Sequence, residues 1–77
     1  MKIETHIGNI IIQRLEEKDF TIAWLARQVS CEESNFYKKL KNNTISKELL
    51  FWISHVLQED FFAYYSKELQ NIRQKLP

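Results

Sequence analysis

The sequence predicts an all-α fold: five helices packed as one compact domain over residues 1–77. Three observations carry this. Gly8 and Pro77 are the only glycine and proline, too few for a fold of hairpins and tight turns, which lean on positive φ. Apolar residues recur at spacings of three and four, the helical period, rather than two. Between these stretches stand Ser, Thr, Asn and acidic residues, which cap helices and build turns. A chain this short buries only about 60% of the surface it exposes when unfolded, so its core is modest.

The elements follow in order. Ile7, Ile11 and Leu15 stack at i, i+4 and i+8, widened by Ile10 and Ile12, and predict helix 1 over residues 5–18. Gly8 falls inside it, which marks either a close backbone approach or a late helix start. Asp19 and Phe20 form the exit, and Thr21 is the N-cap of helix 2, residues 22–29, with Ile22, Leu25, Ala26 and Val29 on its buried edge. Ser30-Cys31-Glu32 interrupts the pattern. Helix 3 covers 33–42, with Phe36 and Leu40 inward. Asn42-Asn43-Thr44 is a polar break, Ile45 an isolated anchor and Ser46 the next cap. Helix 4 spans 47–58, with Leu49, Leu50, Ile53 and Leu57 inward and Val56 marginal. Asp60 caps helix 5, Phe61 to Lys75. The domain's core is expected over residues 5–66, with 67–77 a helical extension.

Composition narrows the function classes. The chain is 44% hydrophobic and 27% charged, outside the disordered range. Its apolar runs are far shorter than the roughly 20 residues of a membrane span. Glu4, His6, Asn9, Gln13 and Arg14 break any leader-like pattern in residues 1–20. The lone Cys31 forms no internal disulfide and has no ligand-spaced company, so a reducing cytoplasm is expected and Cys31 reads as an inert small residue. His6 and His55 read as surface or packing histidines. No nucleophile–base set, phosphate-cradling loop or convergent carboxylate pair is visible, and Glu16-Glu17 and Glu32-Glu33 each diverge by about 100° on a helix. Neither an enzyme, a cofactor nor a small-molecule substrate is expected.

Net charge is only +1, yet residues 34–47 hold Lys38, Lys39, Lys41 and Lys47 with no acid, while residues 48–60 carry −3. Two short helices three residues apart, the second leading into this basic stretch, outline a helix-turn-helix. Ala26 is small where the second helix crosses tightly, and Val29 and Phe36 fill the wedge. Helix 3 then stands proud, narrow enough for a major groove about 12 Å wide. The same lysine run also suits a merely solvated face.

Residues 7–66 resemble the Cro/C1-type (XRE-like, lambda-repressor-like) helix-turn-helix regulators. The resemblance rests on Ile7-Gly8, Leu15, Leu25-Ala26-x-x-Val29, Asn35-Phe36-Tyr37, Leu49-Leu50-x-x-Ile53-Ser54-x-x-Leu57 and Asp60-Phe61-Phe62. The last block is similar to small Bacteroides-type members. The resemblance implies double-stranded DNA as partner, with Glu33, Ser34 and Lys38 at base-reading positions. Geometry agrees: with Phe36 and Leu40 inward, Ser34, Lys38 and Lys41 project outward. Lys donates to guanine, Ser to either edge, and Glu accepts from cytosine N4. Lys39, Lys41, Asn42, Asn43 and Thr44 match backbone-contacting positions. Thr21, at the helix 2 N-terminus, is placed to add a phosphate contact aided by the helix dipole; Tyr37 reads as a phosphate donor or, equally, as a half-buried residue at the helix edge. This chain departs from the family in three places. Ile22 replaces a frequent Gln, Ser30 a frequent turn glycine, and Glu32-Glu33 puts negative charge at the recognition tip.

Helix 4 is more apolar than one buried stripe needs. Phe51, Trp52 and His55 point away from it, either as a partner surface or, for Trp52, covered by a folded-back helix 5. Helix 5 carries Phe62, Tyr65, Leu69, Ile72 and Leu76 in a/d spacing, with Glu68 and Arg73 at g and e of a parallel pair. A homodimer using these residues is expected, the alternative being that the first half of helix 5 docks on its own core. The leading expectation is a DNA-binding regulator; the competing one is a helix-turn-helix used for protein contact through Phe51, Trp52 and helix 5.

Overall fold

A computed structural model describes the backbone of residues 3–75 and side chains as far as Arg73. Five helices follow one another: α1 (Ile7–Glu17), α2 (Ile22–Gln28), α3 (Glu33–Asn42), α4 (Lys47–Leu57) and α5 (Phe62–Lys75). No strand occurs among the described residues, and none of their helices is long and apolar enough to cross a membrane.

Side-chain caps set the helix starts. Thr21 Oγ1 accepts from Trp24 N–H at 3.0 Å and Ser46 Oγ from Leu49 N–H at 3.1 Å, as their sequence positions predict. Asp60 Oδ1 accepts from Phe62 N–H at 3.0 Å. Helix 1 begins two residues later than predicted, because His6 caps it: Nδ1 accepts from Asn9 N–H at 3.1 Å. Helix 5 begins one residue late, because Phe61 turns inward and is fully buried, its N–H donating to Ser54 Oγ.

The first four helices end alike. Asp19, Ser30, Asn43 and Gln58 take φ of 61°, 56°, 57° and 54°. The next residue in each case bonds back five positions: Phe20 to Leu15, Cys31 to Ala26, Thr44 to Lys39 and Glu59 to Ser54, at 2.8–3.1 Å. This is the Schellman ending, in which glycine normally holds the left-handed position. With its one glycine used elsewhere, the chain assigns that conformation to short polar residues and Gln58. At Ser30 the turn geometry of a glycine is kept without the glycine, a strain of about 1–2 kcal/mol.

The core joins Ile7, Ile11 and Leu15 of α1, Leu25 and Ala26 of α2, Phe36 and Leu40 of α3, Leu50, Ile53 and Leu57 of α4, and Phe61. Val29 and Leu49, expected fully inward, are half-buried at its margin. Gly8 lies at a close approach, one residue inside the late helix start. A Cβ there would stand 1.8 Å from the Leu40 carbonyl oxygen, so α1 and α3 cross at backbone contact. Two further bonds lock this crossing. His6 Nε2–H donates to Lys41 C=O at 3.2 Å, and Asn43 Oδ1 accepts from Gly8 N–H at 3.3 Å.

Among the described side chains α5 contributes no fully buried residue; Phe62, Tyr64 and Tyr65 rest on the core while the rest of the helix runs on. The molecule measures 45 × 21 × 20 Å with a radius of gyration of 13.4 Å, above the roughly 11.5 Å of a compact domain of this length. Two polar clusters fasten α5. Arg14 Nε donates to both Glu59 carboxylate oxygens at 2.9 and 3.1 Å, its Nη2 to Tyr64 O–H at 2.8 Å, and Tyr64 O–H donates to Glu59 at 2.7 Å. The Glu59 hydrogen bond and charge raise the pKa values of Arg14 and Tyr64 above their ordinary ranges. At the chain start, Glu68 accepts from the Glu4 and Thr5 N–H groups at 2.7 and 2.8 Å and from the Thr5 hydroxyl.

Candidate nucleic-acid interface

α3 buries one stripe and exposes everything else. Phe36 and Leu40 are at 0% exposure, while Glu33, Ser34, Asn35, Tyr37, Lys38, Lys39, Lys41 and Asn42 are exposed. The helical period puts Ser34, Lys38 and Lys41 opposite the buried stripe, with Lys39 on one flank and Glu33 and Tyr37 on the other, toward α2. The helix is held from behind by α1 at the Gly8 crossing and from the side by α2 at Ala26, which is 1% exposed. Lys38, Lys39, Lys41 and Lys47 enter no ion pair among the described residues. Lys41 Nζ lies 5.6 Å from the centre of the Tyr37 ring, a cation–π contact that keeps its charge on the outer face. Tyr37 is 46% exposed, an open position rather than a buried edge.

The acidic tip divides in two. Glu32 is the cap of α3: its carboxylate accepts from Ser34 N–H and Asn35 N–H, both at 3.0 Å. Those backbone hydrogen bonds, Ser34 first, hold its pKa below the usual carboxylate range, and the Lys38 charge adds to the effect. Its negative charge is thereby spent on the positive end of the helix. Glu33 remains exposed and unengaged among the described residues.

Between the start of α2 and the outer face of α3 runs an open groove. Its apolar lining, the floor, is Ile22, Ala23 and the Tyr37 ring; its polar lining, the rim, is Glu33, Ser34 and Lys38, with Thr21. All three residues expected to read bases therefore border one recess.

Other expected residues fall elsewhere. Asn42 and Thr44 are exposed at the end of α3. Asn43, expected to hold a DNA backbone, is turned inward: Oδ1 takes Gly8 N–H and Nδ2 donates to Thr5 C=O at 3.3 Å. With φ at 57° its role is to close α3 and tie it to the chain start. The Thr21 hydroxyl oxygen already accepts from Trp24 N–H, which leaves its O–H proton for an outside acceptor.

On α4, Phe51 and Trp52 are 57% and 49% exposed, with rings edge to face at 5.3 Å, and His55 is edge-on to Trp52 at 6.1 Å. Helix 5 does not cover Trp52. On α5, Tyr65 packs against the core of its own chain, where burial raises its pKa. Leu69 is 51% exposed and Ile72 half-buried; Leu76 lies outside the described residues. The parallel-dimer pairing of Glu68 with Arg73 is displaced, because the Glu68 carboxylate binds Thr5 and Glu4 of its own chain, Thr5 most strongly, which lowers its pKa. Cys31 is half-buried in the α2–α3 turn. The Arg14–Glu59–Tyr64 cluster was not foreseen from sequence, since Arg14 stands 45 and 50 residues from its two partners. Protein-family models, curated proteins and solved structures all give no match to this chain.

Proposed function

We propose that this chain is a sequence-specific DNA-binding regulator of the Cro/C1-type, lambda-repressor-like helix-turn-helix kind, with α2 and α3 as the motif. It works by occupying duplex DNA, as a homodimer, without chemistry of its own. The observation that supports this best is the outer face of α3. A helix backed by a backbone-contact crossing at Gly8 presents Ser34, Lys38 and Lys41 outward, with no ion-pair partner for the lysines among the described residues. In this reading α3 enters the major groove. Glu33, Ser34 and Lys38 meet base edges, while Lys39, Lys41, Asn42, Thr44 and the Tyr37 and Thr21 hydroxyls meet the backbone, the Tyr37 ring staying free for a base. Asn43 supports the helix instead of touching DNA.

Charge reversal tests the reading. Lys38→Glu with Lys41→Glu is expected to abolish retention of duplex DNA enriched from a random pool while leaving the circular dichroism spectrum unchanged. Undiminished retention contradicts it. A second reading, a protein-contact module, is favoured by the exposed Phe51–Trp52 pair on α4. It predicts that Phe51→Ala abolishes capture of a protein partner by a chain that never retains DNA.

A further inference from the structure

From the groove between α2 and α3 we infer a specificity element within the proposed DNA site: it reads the major-groove edge of a thymine–adenine pair, with the thymine methyl seated on Ile22, Ala23 and Tyr37. This rests on the DNA-binding reading and names the base pair that the site selects.

The chemistry of the recess decides what fits it. Its floor is apolar, with Ile22 and Ala23 half-buried and Tyr37 exposed. Its rim carries donors, Ser34 and Lys38, and one unengaged acceptor, Glu33. A phosphate is a poor occupant, since the Glu33 carboxylate repels it and the floor offers it nothing. A guanine–cytosine pair offers only the cytosine C5–H where thymine carries a methyl, leaving the floor poorly filled. A thymine–adenine pair shows a C5-methyl beside the O4 acceptor of thymine, then the N6–H2 donor and N7 acceptor of adenine. The methyl matches the floor, O4 the Ser34 hydroxyl or Lys38 ammonium, and the adenine amino group the Glu33 carboxylate. Every group on the rim then has a complement.

Ile22 is the residue that makes the floor apolar. It stands at the first position of α2, beside the Thr21 cap, where a polar side chain would turn the recess toward phosphate oxygens. The exposed Glu33, which weakens backbone contact, becomes the adenine reader.

The test uses the whole chain and duplexes enriched from a random pool. The enriched site is expected to hold a fixed thymine–adenine pair. Replacing that thymine by deoxyuridine, which removes only the methyl, should weaken binding about fourfold, the equivalent of one buried methyl at ~0.8 kcal/mol. Ile22→Gln is expected to bring the thymine-to-uridine ratio to about one, whatever its absolute affinity. Equal binding of thymine and uridine duplexes by the native chain overturns the inference and leaves the regulator reading intact. So does an enriched site with no fixed thymine, or a ratio unchanged by Ile22→Gln. Failure to retain any duplex overturns both.

Discussion

Replacing Gly8 by alanine adds one methyl group at the point where α1 meets α3. On helix propensity alone the change favours folding by up to about 1 kcal/mol. The structure predicts the opposite sign. The new Cβ would lie 1.8 Å from the Leu40 carbonyl oxygen, where ordinary contact begins at 3.4 Å, so the helices must part by about 1.6 Å. The obstacle is backbone, with no rotamer to swing aside. Parting the helices opens the packing among Ile7, Ile11, Phe36 and Leu40, all at 0–1% exposure. Gaps of even 0.5–1 Å forfeit roughly a quarter to a half of the dispersion energy of the lining atoms. Overpacking of this kind costs about 1–3 kcal/mol, with the upper end fitting a backbone clash. The Gly8 N–H bond to Asn43 adds about 1 kcal/mol when stretched. Net of the propensity gain, Gly8→Ala should destabilise by about 3 kcal/mol and lower Tm by roughly 12–24 °C. Urea unfolding followed by tryptophan fluorescence and circular dichroism measures this. An unchanged or raised midpoint refutes the backbone-contact crossing.

Further outcomes follow from other positions. Ser30→Gly relieves a left-handed φ of 56° at a residue whose side chain makes no hydrogen bond among the described residues, and should stabilise by about 0.5–1 kcal/mol in thermal unfolding. Asn43→Gly, at a nearly identical φ of 57°, should destabilise in the same assay, because its amide ties Gly8 to Thr5. Phe61→Ala removes a fully buried ring and should cost about 3–5 kcal/mol, against within about 0.5 kcal/mol for the exposed Phe51→Ala. Glu32 and Glu68 have folded pKa values below their unfolded ones, so the stability they contribute is present above the unfolded value of about 4.3 and is lost as pH falls through the folded value. Denaturation midpoints should fall as pH drops below about 5, less steeply in Glu32→Gln with Glu68→Gln.

The helical plan was legible because it is written in neighbouring residues. Thr21, Ser46 and Asp60 announce helix starts, Phe36 and Leu40 define the inward stripe of α3, and the 3–4 spacing sets the bounds of α2 and α3. Gly8 offered two meanings, a late start and a close approach, and the second emerges only from the position of Leu40, far along the chain. The outer face of α3 was likewise legible, since a helix whose inward residues are known has its outward residues fixed by the 100° step. Polar pairing across the fold was not. Asn43 reads locally as a loop residue before a basic helix end, and its bonds to Thr5 and Gly8 span 38 and 35 residues. Glu68 fits a heptad as well as it fits a clamp on Thr5, 63 residues away. Tyr65 fits a dimer seam as well as its own core. Such pairs leave no period in the sequence, because the chemistry of each partner is satisfied equally by water until the fold brings them together.

The salt dependence of duplex binding tests the central proposal most directly. The affinity of the native chain should fall with rising salt, and Lys39→Ala with Lys41→Ala should flatten the log–log slope by roughly 1.8 per protomer, about 0.9 for each phosphate no longer neutralised. A slope unchanged by removing both lysines, in a variant that remains folded, would contradict the account.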